Sequence, residues 1–505
     1  MDTDNSFRKG NELEEIMDNI NAEKNTGTIY HRAKTWQIIL FACNGLVGMS
    51  IYQLIGLASY SANIGYGIAT VAVGGILTFT RILDAITDPL LAFVYDRVNT
   101  KWGKIRILII TGWIIEAAAL ICMFSLFSSK GFGLLVFLLF YIVYIIGYTM
   151  ANVTALTVPN LLTNDPKQRP TIGVWQTVFN YVVPIVLSIV LNVVLLPMFG
   201  GEYNQDFLSA ACFVAIAVSA LGVLLVCIGV SEYDKPENFK NLTGNKEEKL
   251  SIKDMIGAIK ENKPFQCYIV AAASDKIAQQ VASQSIVSTL LMGIVIGNMG
   301  LSTILNMIAI LPAILFAAYG ARYAGKHGNK ESIATWTWAC MGIAAGLVVF
   351  FAVIDPHHIA SFGPMMIIYV VFTLLLNGAK MCVTTANTAF MSDIIDYELD
   401  RTGKFIPAVM TGTYNFIDKI VSAFSAVIAT FAVALVGYSQ TLPQPGDTLT
   451  RPIFWMTMFL QYGLAMIGWV CTIVAMRRCD LTKDEMAKVQ QRIADKKKEF
   501  KNSQE

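Results

Sequence analysis

The feature that most constrains this chain is a cluster of charge inside a stretch that otherwise carries none. Arg81, Asp84 and Asp88 lie within Ile68–Tyr95, whose other residues are almost all apolar or small. That stretch is long enough to cross a bilayer. Each charge at a bilayer centre costs about 2.5–3.5 kcal/mol on insertion scales, and intramembrane charges usually mark an ion or solute path. Three on one helix therefore need internal partners.

The rest of the chain has the same apolar character. It is 55% hydrophobic and 15% charged, whereas soluble domains are about 45–50% apolar and about 25% charged. A helix needs about 20 apolar residues to span hydrocarbon. Such stretches occur near Trp36–Leu57, Ile68–Tyr95, Ile105–Phe127, Phe132–Val158, Ile172–Pro197 and Phe207–Val230. A second set lies near Phe265–Ile296, Leu301–Ala324, Ile333–Ile354, Phe362–Ile395, Pro407–Val436 and Pro452–Met476. Backbone polar groups must be satisfied within lipid, so continuous apolar runs of this length predict helices. A barrel would instead show short alternating segments.

Lysine and arginine are unevenly spread. The links after spans two, four and eight carry Arg97, Lys101, Lys104 and Arg106, then Lys167 and Arg169, then Arg322, Lys326 and Lys330. The odd-numbered links hold little beyond Lys130 and Arg451. Positive residues stay on the cytoplasmic side, so both termini are expected there, with the chain in the plasma membrane. Residues 1–35 are polar and show no cleavable signal, so the first span is expected to target the chain.

Residues 231–263 form the longest polar stretch between spans. They divide the chain into bundles 36–230 and 264–476, with a charged, amphipathic tail over 477–505. A short surface helix is expected around residues 251–261. The nine cysteines fall mostly within spans and have no ligand spacing, and the four histidines form no zinc constellation. No nucleophile elbow, metal motif or phosphate loop is present, which counts against an enzyme. No cofactor and no nucleic-acid partner is expected.

Arg81-Ile-Leu-Asp84-Ala-Ile-Thr-Asp88-Pro89, followed by Asp96-Arg97 and Lys101-Trp102-Gly103-Lys104, resembles the helix-two signature of the glycoside–pentoside–hexuronide:cation symporters. Tyr148-Thr149 with Asn152 resembles that family's helix-four segment. Asn164-Asp165-Pro166-Lys167-Gln168-Arg169 resembles the loop that follows it, and Asp393 to Lys404 the loop after helix ten. The resemblance covers about Trp36 to Met476. It implies an all-α membrane protein of the twelve-helix major facilitator fold, two six-helix bundles related by a pseudo-twofold axis with solute held between them. It also implies a monomer surrounded by lipid that imports a glycoside or related sugar with Na⁺ or H⁺ by alternating access. Two alternatives stay open: a lysolipid or other amphiphile carrier, and a transport-dead solute sensor.

The site follows partly from the residues and partly from the resemblance. Arg81, Asp84 and Asp88 share one helical face. Two neighbouring carboxylates repel, so a proton, a cation or a basic group must lie between them. The resemblance makes Asp84 and Asp88 the cation ligands, metal ligands if the ion is Na⁺, with Thr149 as a hydroxyl ligand and Lys419 competing from the second half. Thr87 stands where relatives often carry Asn and offers a further hydroxyl. Arg81 is expected to pair within helix two, either as part of this site or as a structural lock. The melibiose-type pattern has acids on helices one and four and an arginine on helix five, where this chain has Gly45, Asn152 and Gln176. The expected solute contacts are therefore Asn44, Tyr148, Asn152, Gln176, Lys380, Asn415 and Asp418. Asp96, Arg97, Lys101 and Lys104 on one half, and Asp393, Asp396 and Arg401 on the other, are expected to latch the cytoplasmic side. The competing explanation for the basic members is topology alone.

Overall fold

The computed structural model describes residues 32–97, 103–163, 168–235, 259–403 and 407–502. The first half comprises α1 (Thr35–Gly56), α2 (Thr70–Arg97), α3 (Ile105–Leu126), α4 (Leu134–Leu162), α5 (Arg169–Ser188, continuing to Met198) and α6 (Gln205–Val230). The second half comprises α7 (Lys263–Ala282 and Ser285–Ile296), α8 (Gly300–His327), α9 (Asn329–Val353), α10 (Pro364–Thr402), α11 (Pro407–Leu435) and α12 (Arg451–Arg478). A tail helix, α13 (Lys483–Asn502), follows. Among the described residues there is no strand.

Nine of these helices are long and apolar enough to span a membrane, and the bent pairs of α7 and α8 raise that to 11. With its 28 residues, α2 is the remaining helix of spanning length. The helix starts follow local chemistry. Asn204, Asn262 and Thr450 each accept a backbone N–H three residues on, satisfying an end that has no turn before it. A proline follows in the first turn of α7 and α12, where its missing N–H costs nothing.

In lipid, helices associate by close packing, so small residues mark their contacts. A methyl group built on Gly147 of α4 would lie 2.6 Å from the backbone nitrogen of Glu116 on α3. On α2, Gly74 rests against Thr430 and the Ala426 carbonyl of α11. The helices meet across the two halves mainly as α2 on α11, α5 on α8, and α1 with α7. Large apolar side chains such as Leu135, Leu224, Val353 and Leu435 point outward, as a lipid-facing surface requires.

Both described chain ends lie at one end of the bundle, called here the tail end. The central link, residues 236–258, with most of the surface helix expected near 251–261, falls outside the described residues.

Candidate solute and cation site

On α2, Asp84 faces α4, where the Thr149 hydroxyl donates to its Oδ1 over 3.4 Å. These two predicted cation ligands therefore meet across two helices. Thr149 itself is buried. Beside them lies a cavity of about 90 Å³ lined by Tyr52, Thr80, Arg81, Asp84, Tyr144 and Tyr148. Carboxylate and hydroxyl oxygens in a confined cavity suit a hard cation such as Na⁺, and the carboxylate equally suits a proton. The side chains of Thr87, Asp88, Asp96 and Arg97, and all of Lys101, lie outside the described residues.

Arg81 interacts with Tyr141, Tyr144, Tyr52 and Asp84, without a direct salt bridge among the described side chains, and lines both cavities. Asp84 meets Thr149 of α4, and Arg81 lies against tyrosines of the same helix. The wall it meets is a run of rings on α4: Tyr141 and Tyr144 have centroids 5.5 Å apart, and Tyr144 and Tyr148 5.9 Å apart. Asn152 hydrogen-bonds Tyr148 one turn along α4.

A larger cavity of about 260 Å³ lies between the halves. Arg81 is its charged lining residue. Its other polar lining is amides and hydroxyls, among them Gln53, Asn192, Gln280, Gln284 and Asn306, interleaved with apolar side chains such as Leu77, Leu191 and Met299. None of these was among the residues expected from the sequence. A signal was present: Ser188 and Asn192, Gln280, Gln284 and Ser288, and Ser302 and Asn306 each recur at four-residue spacing, the spacing of one face of a regular helix.

At the far end, opposite the tail end, the halves are sealed. The Tyr60 hydroxyl donates to the Pro443 carbonyl and accepts from the Thr289 hydroxyl, each over 2.8 Å. The Asn63 amide donates to the Gln440 carbonyl over 2.7 Å, and its oxygen accepts from the Leu442 N–H over 3.0 Å. The Ser285 hydroxyl donates to the Gly56 carbonyl, and Gln444 bonds the Tyr203 backbone in both directions.

The remaining predicted solute residues are dispersed. Asn44 and Gln176 are half-buried on α1 and α5, and Asn415 is exposed on α11. Asp418 pairs with Lys276 of α7 over 3.3 Å. The Lys380 ammonium sits 5.9 Å from the centre of the Trp469 ring, within cation–π range. Lys419 is exposed on α11, the helix that packs along α2.

The predicted latch residues of the second half are engaged within that half or with the tail. Asp393 accepts from Asn329, Asp396 from Gln490, and Arg401 pairs with Glu398 and Glu261. In the first half, the backbone N–H groups of Lys104, Ile105 and Arg106 all donate to Asp234, the fourth residue beyond the end of α6.

Comparison with known proteins agrees with this architecture. Residues 47–483 match the family model described as MFS/sugar transport protein. The chain is 23% identical over 395 residues to the "Putative glycoside/cation symporter YagG" of Escherichia coli (strain K12), covering 76% of this chain and 79% of that one. It is 22% identical to the "Glucuronide carrier protein homolog" of the same organism, covering 82% and 87%. Among solved structures, the nucleoside transporter NupG superposes with a TM-score of 0.55 at 14% identity, over 88% of this chain and 98% of that one. That likeness concerns the fold alone. The chain is thus a multi-pass membrane transporter and not an enzyme, and it belongs to the MFS/sugar transport protein family.

Proposed function

We propose that the chain imports a glycoside or related sugar across the plasma membrane by alternating access, driven by Na⁺ or H⁺. The observation that carries this reading is the Asp84–Thr149 contact beside a polar cavity between two halves. A cation there offsets the Asp84 charge and ties α2 to α4. Asp88 and Thr87 complete the oxygen set on the same helix, and Lys419 from α11 competes for it when the ion leaves. Tyr148, Asn152 and Gln176 then meet the solute from the first half. The lysine and arginine asymmetry supports placing the tail end in the cytoplasm. With the far end sealed, the cavity in this state is a cytoplasm-facing one. Walls rich in amides and hydroxyls suit a sugar better than the acyl chain of an amphiphile.

The test is counterflow and uptake in proteoliposomes with an imposed Na⁺ or pH gradient. Wild-type protein should concentrate the sugar under at least one gradient. Asp84→Asn should lose accumulation and keep downhill exchange. Accumulation by that variant, or indifference of the wild type to both gradients, refutes the reading.

A further inference from the structure

We infer that the solute's contacts from the second half are Gln280 and Gln284 of α7 and Asn306 of α8. This inference deepens the sugar-symport reading and rests on it. The expected contacts from that half, Lys380, Asn415 and Asp418, come from other helices. Lys380 is occupied by the Trp469 ring and Asp418 by Lys276.

The argument begins with amides that face the central cavity and keep hydrogen-bonding capacity the protein does not use. Asn306 lies well inside α8, nearly two turns from the Gly300 start. Among the described residues it makes no protein hydrogen bond, and it opens onto the 260 Å³ cavity. Asn192 faces the same space from α5 and is likewise unbonded among the described residues.

Gln284 spends one N–H on Ser425 Oγ over 3.1 Å, and Gln280 accepts from Ser283 over 3.4 Å. Both keep further donor and acceptor positions, since a primary amide offers two N–H donors and two lone pairs. The wall therefore presents donors and acceptors side by side. That pattern matches vicinal hydroxyls, each of which donates once and accepts twice. A carboxylate-only or purely cationic ligand would leave half of these groups unmet. The cavity volume, just under the about 300–1,000 Å³ typical of drug-sized ligands, suits one sugar ring better than an extended oligosaccharide.

Position adds a second strand. Gln284 stands at the 60° break of α7, between its lower and upper segments. The upper segment carries Ser285 and Thr289, which bond Gly56 and Tyr60 of the first half in the far-end seal. A solute hydroxyl held by Gln280 and Gln284 therefore touches the helix that closes the far end.

The experiment is direct binding by isothermal titration to the full chain in nanodiscs, with methyl β-galactoside, methyl α-glucoside, lactose and glucuronate as probes. For any probe that binds the wild type, Gln280→Leu and Asn306→Leu should each weaken affinity about tenfold or more, since a hydrogen-bond partner of the bound sugar is lost. A deoxy analogue of the same probe, missing the hydroxyl that one amide holds, should lose affinity in the wild type and lose none further in the matching variant. Misfolding would weaken both sugars equally, so this comparison keeps the test decisive. Undiminished affinity in both variants overturns the inference and leaves sugar symport standing. Failure of every probe to bind the wild type removes the sugar reading and this site with it.

Discussion

The two ends of the bundle are held together differently. At the far end the halves bond to each other: Tyr60, Asn63 and Thr70 of the first half reach Thr289 and residues 439–443 of the second. At the tail end the polar contacts among the described residues stay within one half. Gln37 bonds Glu232 and Tyr233, and Asp234 bonds the start of α3. Asn262 bonds Glu398, Arg401 pairs with Glu261, and Lys263 pairs with Asp480. Hydrogen bonds that cross between bodies must break when the bodies rock. Those within a body travel with it. Under the alternating-access proposal the far end is therefore a gate expected to open, and the tail-end contacts named here travel with one half.

The largest expected effect comes from fixing the gate shut. The hydroxyls of Ser59 and Ser285 lie 3.4 Å apart across the halves. In a background lacking the nine native cysteines, Ser59→Cys with Ser285→Cys should crosslink on oxidation. Transport should then stop and return with reductant. Transport that persists in fully crosslinked protein would mean the far end need not open.

A smaller effect should follow from weakening the gate. Tyr60→Phe removes the acceptor for Thr289 and leaves the buried Pro443 carbonyl without its donor, a loss of about 1–3 kcal/mol. The conformational equilibrium should shift about tenfold or more towards far-end opening. Alkylation rates of a cysteine at Ser288, in the central cavity, report this from the outside. An unchanged rate would show that the bond does not hold the gate.

Perturbing a fitting inside one half should lower stability without moving the equilibrium. Gly147→Ala forces a methyl against the α3 backbone, and overpacking of this kind costs about 1–3 kcal/mol. The melting temperature in detergent should fall while labelling at residue 288 stays at the wild-type rate. A changed labelling rate would place Gly147 in the gate mechanism.

The smallest effect belongs to the exposed Lys263–Asp480 pair. The Lys263 ammonium holds the Asp480 carboxyl below its ordinary range. A depressed carboxyl contributes stability above its unfolded pKa and loses it as pH falls through the folded value. Both groups are solvent-exposed, and exposed pairs contribute little. Asp480→Asn should leave the melting temperature unchanged between neutral pH and about pH 5, above the ordinary range of a carboxylate. A clear drop would promote this pair to a structural clamp.

How much of this was legible beforehand depends on the kind of residue. The helices and the division into halves follow from apolar runs and one polar link. Asp84 and Thr149 were legible because charge inside a membrane span is rare, and because the surrounding motif resembles a known family. The cavity amides are hard to read from sequence because uncharged polar residues in spans are common. Only their four-residue spacing on three helices distinguishes Gln280, Gln284, Asn306 and Asn192. The tyrosine surroundings of Arg81 are not legible for another reason. Sequence spacing gives the shared face of Arg81 and Asp84, but not the direction in which each side chain extends from it. The tyrosine wall on α4 and the reach of Thr149 decide that, and both are tertiary facts. Asp418 illustrates the same limit. Its partner, Lys276, is 142 positions away in sequence.

Finally, α10 is 39 residues long. At 1.5 Å per residue that is about 58 Å, nearly twice the hydrocarbon thickness of about 30 Å. Part of it must stand clear of the membrane like a mast. The tail helix α13 is lashed to that projecting part: Arg492 pairs with Asp400 over 2.7 Å, and Gln490 bonds Asp396 over 2.7 Å. When the second half tilts, points far from the pivot sweep through the widest arc. Under the alternating-access proposal, a fluorophore on α13 should therefore register each transport cycle with more displacement than a label on the membrane-embedded part of α10, and a protein gripping α13 would act on the cycle through a long lever.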